Sequence, residues 1–204
     1  MTPADMERRV FLAGVGVSAT ALVALTAGQS FDVLAPLNLF APRVKGQGPQ
    51  ALPVNRTAAQ AEVSERALDP AWSLEVRSAG DGRRVYGREE LSRMPQTEAV
   101  LPIACVEGWS TTAEWRGVRL SDLLTAVGVD PAHTIRLESL QQRGAYRTTT
   151  MPPHYAWDPL TLVALEVNGA PLDIDHGYPA RIIAPGRPGV LQTKWLSRIE
   201  ELPP

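Results

Sequence analysis

The 204-residue chain has one cysteine, Cys105, at the end of the apolar run 100–106 and just before Glu107, Gly108 and Trp109. A side chain at a strand end sits on rigid backbone and projects into a loop-lined cleft, and Gly108 permits a sharp turn there. A lone cysteine either packs as a small hydrophobe or does chemistry, and it cannot close an intrachain disulfide. As a thiolate it suits a metal in sulfur-rich surroundings. It cannot by itself build a zinc or iron-sulfur site, and His133, His154 and His176 fall in no zinc spacing. A metal bound here must draw most of its ligands from an organic cofactor. Arg181 and Lys194 bracket the Gly-rich turn 186–189. A planar guanidinium fork, a point-charge ammonium and turn N–H groups together suit a buried phosphate, although either cation alone would be an ordinary surface charge. There is no P-loop, no dinucleotide fingerprint and no second cysteine for covalent haem, so electrons must come from outside the chain.

The elements that position these groups follow from periodicity. Residues 72–77 alternate apolar and polar, as a half-buried strand does. A short helix is predicted over 88–94, and the run 100–106 reads as a central strand buried on both faces. Residues 121–127 read as a helix capped by Ser121 and ended by Gly128. Short strands follow at 134–140, 146–150, 162–167, 180–184 and 193–200. Asn168-Gly169 signals a tight hairpin because both residues tolerate positive φ. With Pro and Gly punctuating most joins, the fold class is α+β with strands dominant.

A net charge of −2 with 44% hydrophobic and 21% charged residues describes a globular chain with no basic footprint, which argues against nucleic acid as a partner. After Arg8-Arg9 no charge occurs until Asp32. A helix over residues 10–31 would span about 30 Å, the thickness of a bilayer core. The stretch Arg8-Arg9-Val10-Phe11-Leu12 resembles the twin-arginine export signal, with Glu7 and Ala13 departing from its usual residues. Poor cleavage candidates near residues 24–27 favour retention as an anchor. Positive charge at the N-terminal end predicts a cytoplasmic N-terminus and a domain on the extracytoplasmic, periplasmic side of the cell membrane. The expected organisation is an anchor over 1–31, an extended connector over 32–52 and the globular domain over 53–204.

The run Leu101-Pro102-Ile103-Ala104-Cys105-Val106-Glu107-Gly108-Trp109-Ser110, continued by Trp115-Arg116-Gly117, resembles the molybdenum-binding loop of the sulfite oxidase family. Within that family it is most similar to the periplasmic methionine sulfoxide reductase branch. A second matching block runs from Asp158-Pro159-Leu160 through Asn168-Gly169 and Asp175-His176-Gly177-Tyr178-Pro179-Ala180-Arg181 to Lys194-Trp195-Leu196. Together the blocks cover about residues 55–200. The resemblance implies a sulfite oxidase-type molybdopterin-binding fold, with a mixed sheet and short helices. It also implies a molybdenum-molybdopterin cofactor in which Cys105 joins the pterin dithiolene sulfurs around the metal. By position, Asn55 and Arg56 match a cofactor-contacting segment. Ser139 matches a cofactor-binding Thr, and His176 stands where the reductase branch has Asn and sulfite oxidases have His. Arg181, Gln192, Thr193 and Lys194 match residues that hold the pterin and its phosphate. Leu191 departs from relatives that carry a cation there.

Glu107 bears on substrate. Sulfite oxidases place arginines after their cysteine, whereas an ionised carboxylate several ångströms from sulfite would repel it by about 1 to 4 kcal/mol. A neutral sulfoxide or N-oxide fits better, with Glu107 orienting the proton that oxygen removal consumes. A carboxylate bonded to loop N–H groups is the alternative role. The expected function is membrane-anchored, two-electron oxygen-atom transfer on a small molecule, with a haem-containing membrane subunit as electron-transfer partner. Sulfite oxidation, or a binding module that kept the fold without catalysis, stands as the alternative.

Overall fold

The computed structural model describes residues 12–20, 48–104 and 109–203. Residues 12–20 are helical and exposed; the rest of the predicted membrane span lies outside the described residues. Among the described residues no helix is long and apolar enough to cross a membrane.

The globular unit is built from strands β1 Ser73–Arg77, β2 Arg83–Gly87, β3 Thr97–Ala104, β4 Ser110–Arg119, β5 Thr134–Ser139, β6 Thr148–Met151, β7 Leu162–Val167, β8 Ala170–Pro171, β9 Arg181–Ile183 and β10 Leu196–Leu202. Four short helices interrupt them: α1 Ser64–Leu68, α2 Arg88–Arg93, α3 Leu120–Thr125 and α4 Pro153–Ala156. The first sheet runs β2-β1-β10-β5-β6, the second β3-β4-β7-β8, with β9 also paired to β7. The first sheet is mixed, because β1 and β10 are parallel while its other pairs are antiparallel. The predicted α+β architecture is therefore present, divided between two sheets.

The main core is drawn from both sheets and from α2 and α3. Leu74 and Val76, Ile135 and Leu137, and Leu196 and Ile199 come from the first sheet. Val163, Leu165 and Ile182 come from the second, and Leu91, Leu120, Leu123 and Leu124 from the helices. Each such side chain, fully removed from water, stabilises the fold by about 1.5 to 3 kcal/mol before entropy is counted. A smaller cluster of Ala58, Ala61, Val63 and Ala67 gathers around Trp195 and seats the start of the domain beside the residues that lead into β10.

Two expectations are corrected. The run leading to Cys105 is not buried on both faces: among the described residues β3 pairs only with β4, and its residues alternate between buried and solvent-facing, with Val100 69% exposed. An apolar run of four to eight residues does not by itself distinguish a central strand from an edge strand. Ser121 is not a cap either. The helix begins at Leu120 after Arg119, and no side chain caps it. The other boundaries move by a few residues, while β2, β4, α1 and α4 lie outside the expected elements. The Asn168-Gly169 hairpin forms as expected, with φ of 49° and 77° joining β7 to β8.

Gly117 lies at the register shift where β4 meets β7. A Cβ at this position would fall 2.1 Å from the Val163 carbonyl oxygen, so only glycine lets the two strands close.

Candidate functional site

Cys105 and Glu107 lie outside the described residues, but the backbone that delivers them does not. β3 ends at Ala104, and its carbonyl oxygen is where a Cβ on Gly189 would come to 2.6 Å. The Gly-rich turn thus lies directly against the end of the cysteine-bearing strand, closer than any side chain would permit.

From this turn the remaining site residues form a connected group. Arg181 on β9 is 5% exposed, and its guanidinium donates to the carbonyl oxygens of His176 (3.0 Å), Gln192 (3.5 Å) and Ile182 (3.5 Å). Its Cζ lies 5.0 Å from the Trp115 ring centroid, a cation-π distance. Burial pulls its pKa down from the ordinary 12.5 to about 10. Lys194 donates through Nζ to the carbonyl oxygens of Arg56 (2.6 Å) and Asp175 (2.8 Å) and lies 4.4 Å from the Trp195 ring centroid. Burial is the main cause that lowers its pKa to about 7; the Arg181 and Arg56 charges add to the fall and Asp175 opposes it. Ser139 donates from Oγ to the Lys194 carbonyl oxygen at 2.8 Å, and Arg56 reaches Gln141 Oε1 at 2.6 Å.

The backbone is shaped for this approach. A Cβ on Gly177, whose φ is 110°, would press within 3.1 Å of both the Arg181 and Lys194 Cβ atoms, so glycine there lets the two cations share one place. Trp195, fully buried and bonded through Nε1 to the Ile174 carbonyl oxygen at 2.7 Å, holds φ at 52°. A bulky residue in the left-handed region is uncommon and is sustained by surrounding contacts; here it sets the direction of Lys194.

His176 is 3% exposed, with Nε2 2.7 Å from the Pro49 carbonyl oxygen. Desolvation lowers its pKa, opposed by the Pro49 hydrogen bond and reinforced by the Arg181 and Lys194 charges, so its ring is neutral near pH 7. Gln192 is buried and spends its side chain on the Ala184 N–H, the Ala184 carbonyl oxygen and the Arg187 carbonyl oxygen, fixing the Gly-rich turn. Thr193 pairs with Thr149 through their hydroxyls at 3.0 Å, tying β6 to the segment before β10. Asn55 is exposed beside Arg56.

The sequence reading missed several contributors. Asp175 accepts the Ala58 N–H through Oδ1 and supplies a carbonyl to Lys194; its place in the Asp175-His176-Gly177 run was the available signal. Arg187, 3% exposed, bonds the Leu191 and Thr150 carbonyl oxygens. Gln141 and Trp115 act as partners of site cations, and no periodic pattern marks such pairings.

Among the described residues, none of the ion pairs includes Arg181, Arg187 or Lys194. Buried cations held by carbonyls and lacking a paired carboxylate are costly unless an anion completes them. A phosphate-bearing pterin is such an anion, and these residues fit it.

The fold and this nest of cations define a molybdopterin-binding oxidoreductase domain. Residues 60–203 match the family model described as oxidoreductase molybdopterin binding domain, and the chain belongs to that family. It is 35% identical over 122 residues to the mitochondrial sulfite oxidase of Drosophila melanogaster, covering 55% of this chain and 21% of that protein. It is 31% identical over 131 residues to the uncharacterised oxidoreductase YuiH of Bacillus subtilis, covering 63% of this chain and 64% of that protein. Among solved structures, the sulfane dehydrogenase SoxCD of Paracoccus pantotrophus superposes with a TM-score of 0.58 at 25% identity, covering 65% of this chain and 38% of that one. The chain spans about a fifth of the length of the sulfite oxidase it matches. The cofactor of this family is molybdenum held by molybdopterin, in accord with the cation nest.

Proposed function

We propose that the chain is the cofactor-bearing domain of an oxidoreductase that moves an oxygen atom to or from a small molecule, in the direction of sulfoxide or N-oxide reduction. The observation that carries this reading is the group of largely buried cations, none in an ion pair among the described residues, set against the strand that delivers Cys105. When bound, the molybdenum centre supplies two-electron redox chemistry. Cys105 is the residue that would hold the metal, and Arg181 and Lys194 would hold the anionic end of the pterin. Neutral His176, donating from Nε2, keeps an acceptor nitrogen rather than a third buried positive charge. Glu107, two residues beyond Cys105, would hold the proton that reduction consumes and would disfavour an anionic substrate.

The resemblance of the N-terminal segment to an export signal supports a membrane-anchored, periplasmic placement with a haem subunit as electron donor. Oxidation of sulfite is the second reading, supported by the likeness to sulfite oxidases. Protein from a host that makes the cofactor should hold about one molybdenum per chain, and Cys105→Ser should lose activity. Steady-state turnover of methionine sulfoxide and of sulfite then chooses the direction: brisk sulfite oxidation with no sulfoxide reduction overturns the reductive reading. Natively folded protein free of molybdenum from that host overturns the reading as a whole.

A further inference from the structure

The short 3-10 turn Pro49–Ala51 enters the domain with two non-glycine residues in the left-handed region, Gln50 at φ 55° and Ala51 at φ 58°. Such a turn persists only where its surroundings over-determine it. Here the Gln50 side chain does so. Its Nε2 lies 2.9 Å from the Pro171 carbonyl oxygen and 3.3 and 3.4 Å from those of Val167 and Ala170. Its Oε1 accepts the Asp173 N–H at 2.9 Å, and its own carbonyl accepts Asn168 Nδ2 at 2.9 Å. One glutamine therefore ties the turn to the β7-β8 hairpin and to the residues leading into His176. Gly48 completes the arrangement, since a Cβ there would meet the Leu52 carbonyl oxygen at 2.1 Å.

The turn delivers the Pro49 carbonyl oxygen to within 2.7 Å of His176 Nε2. A carbonyl only accepts, so the ring must place its proton on Nε2, and in the neutral ring Nδ1 becomes the acceptor. We infer that Gln50 is a positioning residue for the cofactor site: by locking the Pro49 carbonyl in place it selects the Nε2–H tautomer of His176 and keeps Nδ1 as that ring's acceptor. This rests on the reading of His176 as part of the cofactor site. The charged groups that bear on the ring are Arg181 and Lys194, which oppose its protonation, and Asp173, which favours it. A neutral ring with one defined acceptor adds no further cation to a place that already holds two.

The test uses the full chain as purified from a cofactor-making host, labelled with 15N at histidine. Long-range proton-nitrogen correlation distinguishes protonated from unprotonated ring nitrogens directly. His176 should show a protonated Nε2 and a bare Nδ1, constant over about pH 6 to 8. In Gln50→Met, which keeps the side-chain length and loses its hydrogen bonds, both nitrogens should move toward tautomer-averaged positions, and the ring, deprived of the Pro49 hydrogen bond that favours its protonation, should titrate still further below its ordinary value. His133 and His154 should not move, which separates loss of positioning from general loosening. Unchanged His176 signals in folded Gln50→Met overturn the inference. Should that variant fail to fold, Asn168→Gly decides by the same signals, because it keeps the turn conformation and removes the tie to the Gln50 carbonyl. Molybdenum content, measured on the same samples, reports separately on the cofactor assignment: metal-free protein with a fixed His176 tautomer would refute that assignment and leave the role of Gln50 standing.

Discussion

Replacing Lys194 with methionine removes a largely buried ammonium whose only described hydrogen-bond partners are two carbonyl oxygens. Its pKa falls from the ordinary 10.5 to about 7, chiefly through burial. At about 1.36 kcal/mol per pH unit, that fall sets a ceiling of about 5 kcal/mol on the cost of keeping the group charged in the folded state. Between pH 7 and 10.5 the unfolded chain binds the proton that the folded chain has released, so folding stability rises with pH across that window. Below pH 7 both states are protonated and the penalty is complete. Allowing for the partial exposure of the residue, cofactor-free wild type should gain about 1 to 2 kcal/mol over Lys194→Met between pH 7 and 9. Urea unfolding at several pH values, on protein made in a host lacking the cofactor, measures this difference. With the cofactor bound, a phosphate near Nζ would restore the charged form, and the wild-type slope should flatten. Parallel stability curves for wild type and Lys194→Met in the cofactor-free protein would show that Lys194 is not a strained cation awaiting an anion.

Three further outcomes follow from the geometry. Arg181→Lys replaces a fork that reaches three carbonyls with a single point charge, and should cost about 2 to 3 kcal/mol in urea unfolding while lowering the molybdenum content of purified protein. Glu201, 5% exposed, accepts from the Ala79 and Asp130 N–H groups and pairs with His133; these hydrogen bonds lower its pKa against the opposing effect of burial. Its stabilising effect is present above the ordinary 4.5 and lost as pH falls through its folded value, so the gap of about 2 kcal/mol expected between wild type and Glu201→Gln near neutrality should narrow in acid denaturation. Gly117→Ala forces a Cβ to within 2.1 Å of the Val163 carbonyl oxygen and should lower the thermal midpoint by an amount equivalent to about 3 kcal/mol.

The legible and illegible parts of the sequence differ for physical reasons. Alternation exposed β1, and the Asn168-Gly169 pair exposed its hairpin, because each is a local preference with one structural outcome. The edge position of β3 was illegible, since burial on the second face depends on which strand arrives there, and only the assembled order of the sheets decides it. At the site, Arg181, Gln192 and Lys194 were visible as polar residues within matching motifs, and the structure links them with Arg56, Ser139 and His176. Thr193 shared the motif but turns to Thr149 instead. The parts played by Gln50 and Gln141 were hidden because their hydrogen bonds span 85 residues or more, beyond anything that spacing can encode.

Strand β10, residues 196–202, lies between β1 and β5, in parallel partnership with a strand more than a hundred positions earlier. A ribosome releases β1, β2, β5 and β6 long before the piece that joins them exists, so the first sheet cannot close until β10 has been made. Such non-local closure is slow, and it leaves two open hairpins waiting for their common neighbour. Lys194 and Trp195 immediately precede this strand, and the Leu196 N–H bonds the Ala180 carbonyl oxygen. Closing the sheet and assembling the cation nest are thus one event, which makes the chain with an open first sheet a poor host for any cofactor and the closed sheet its first competent one.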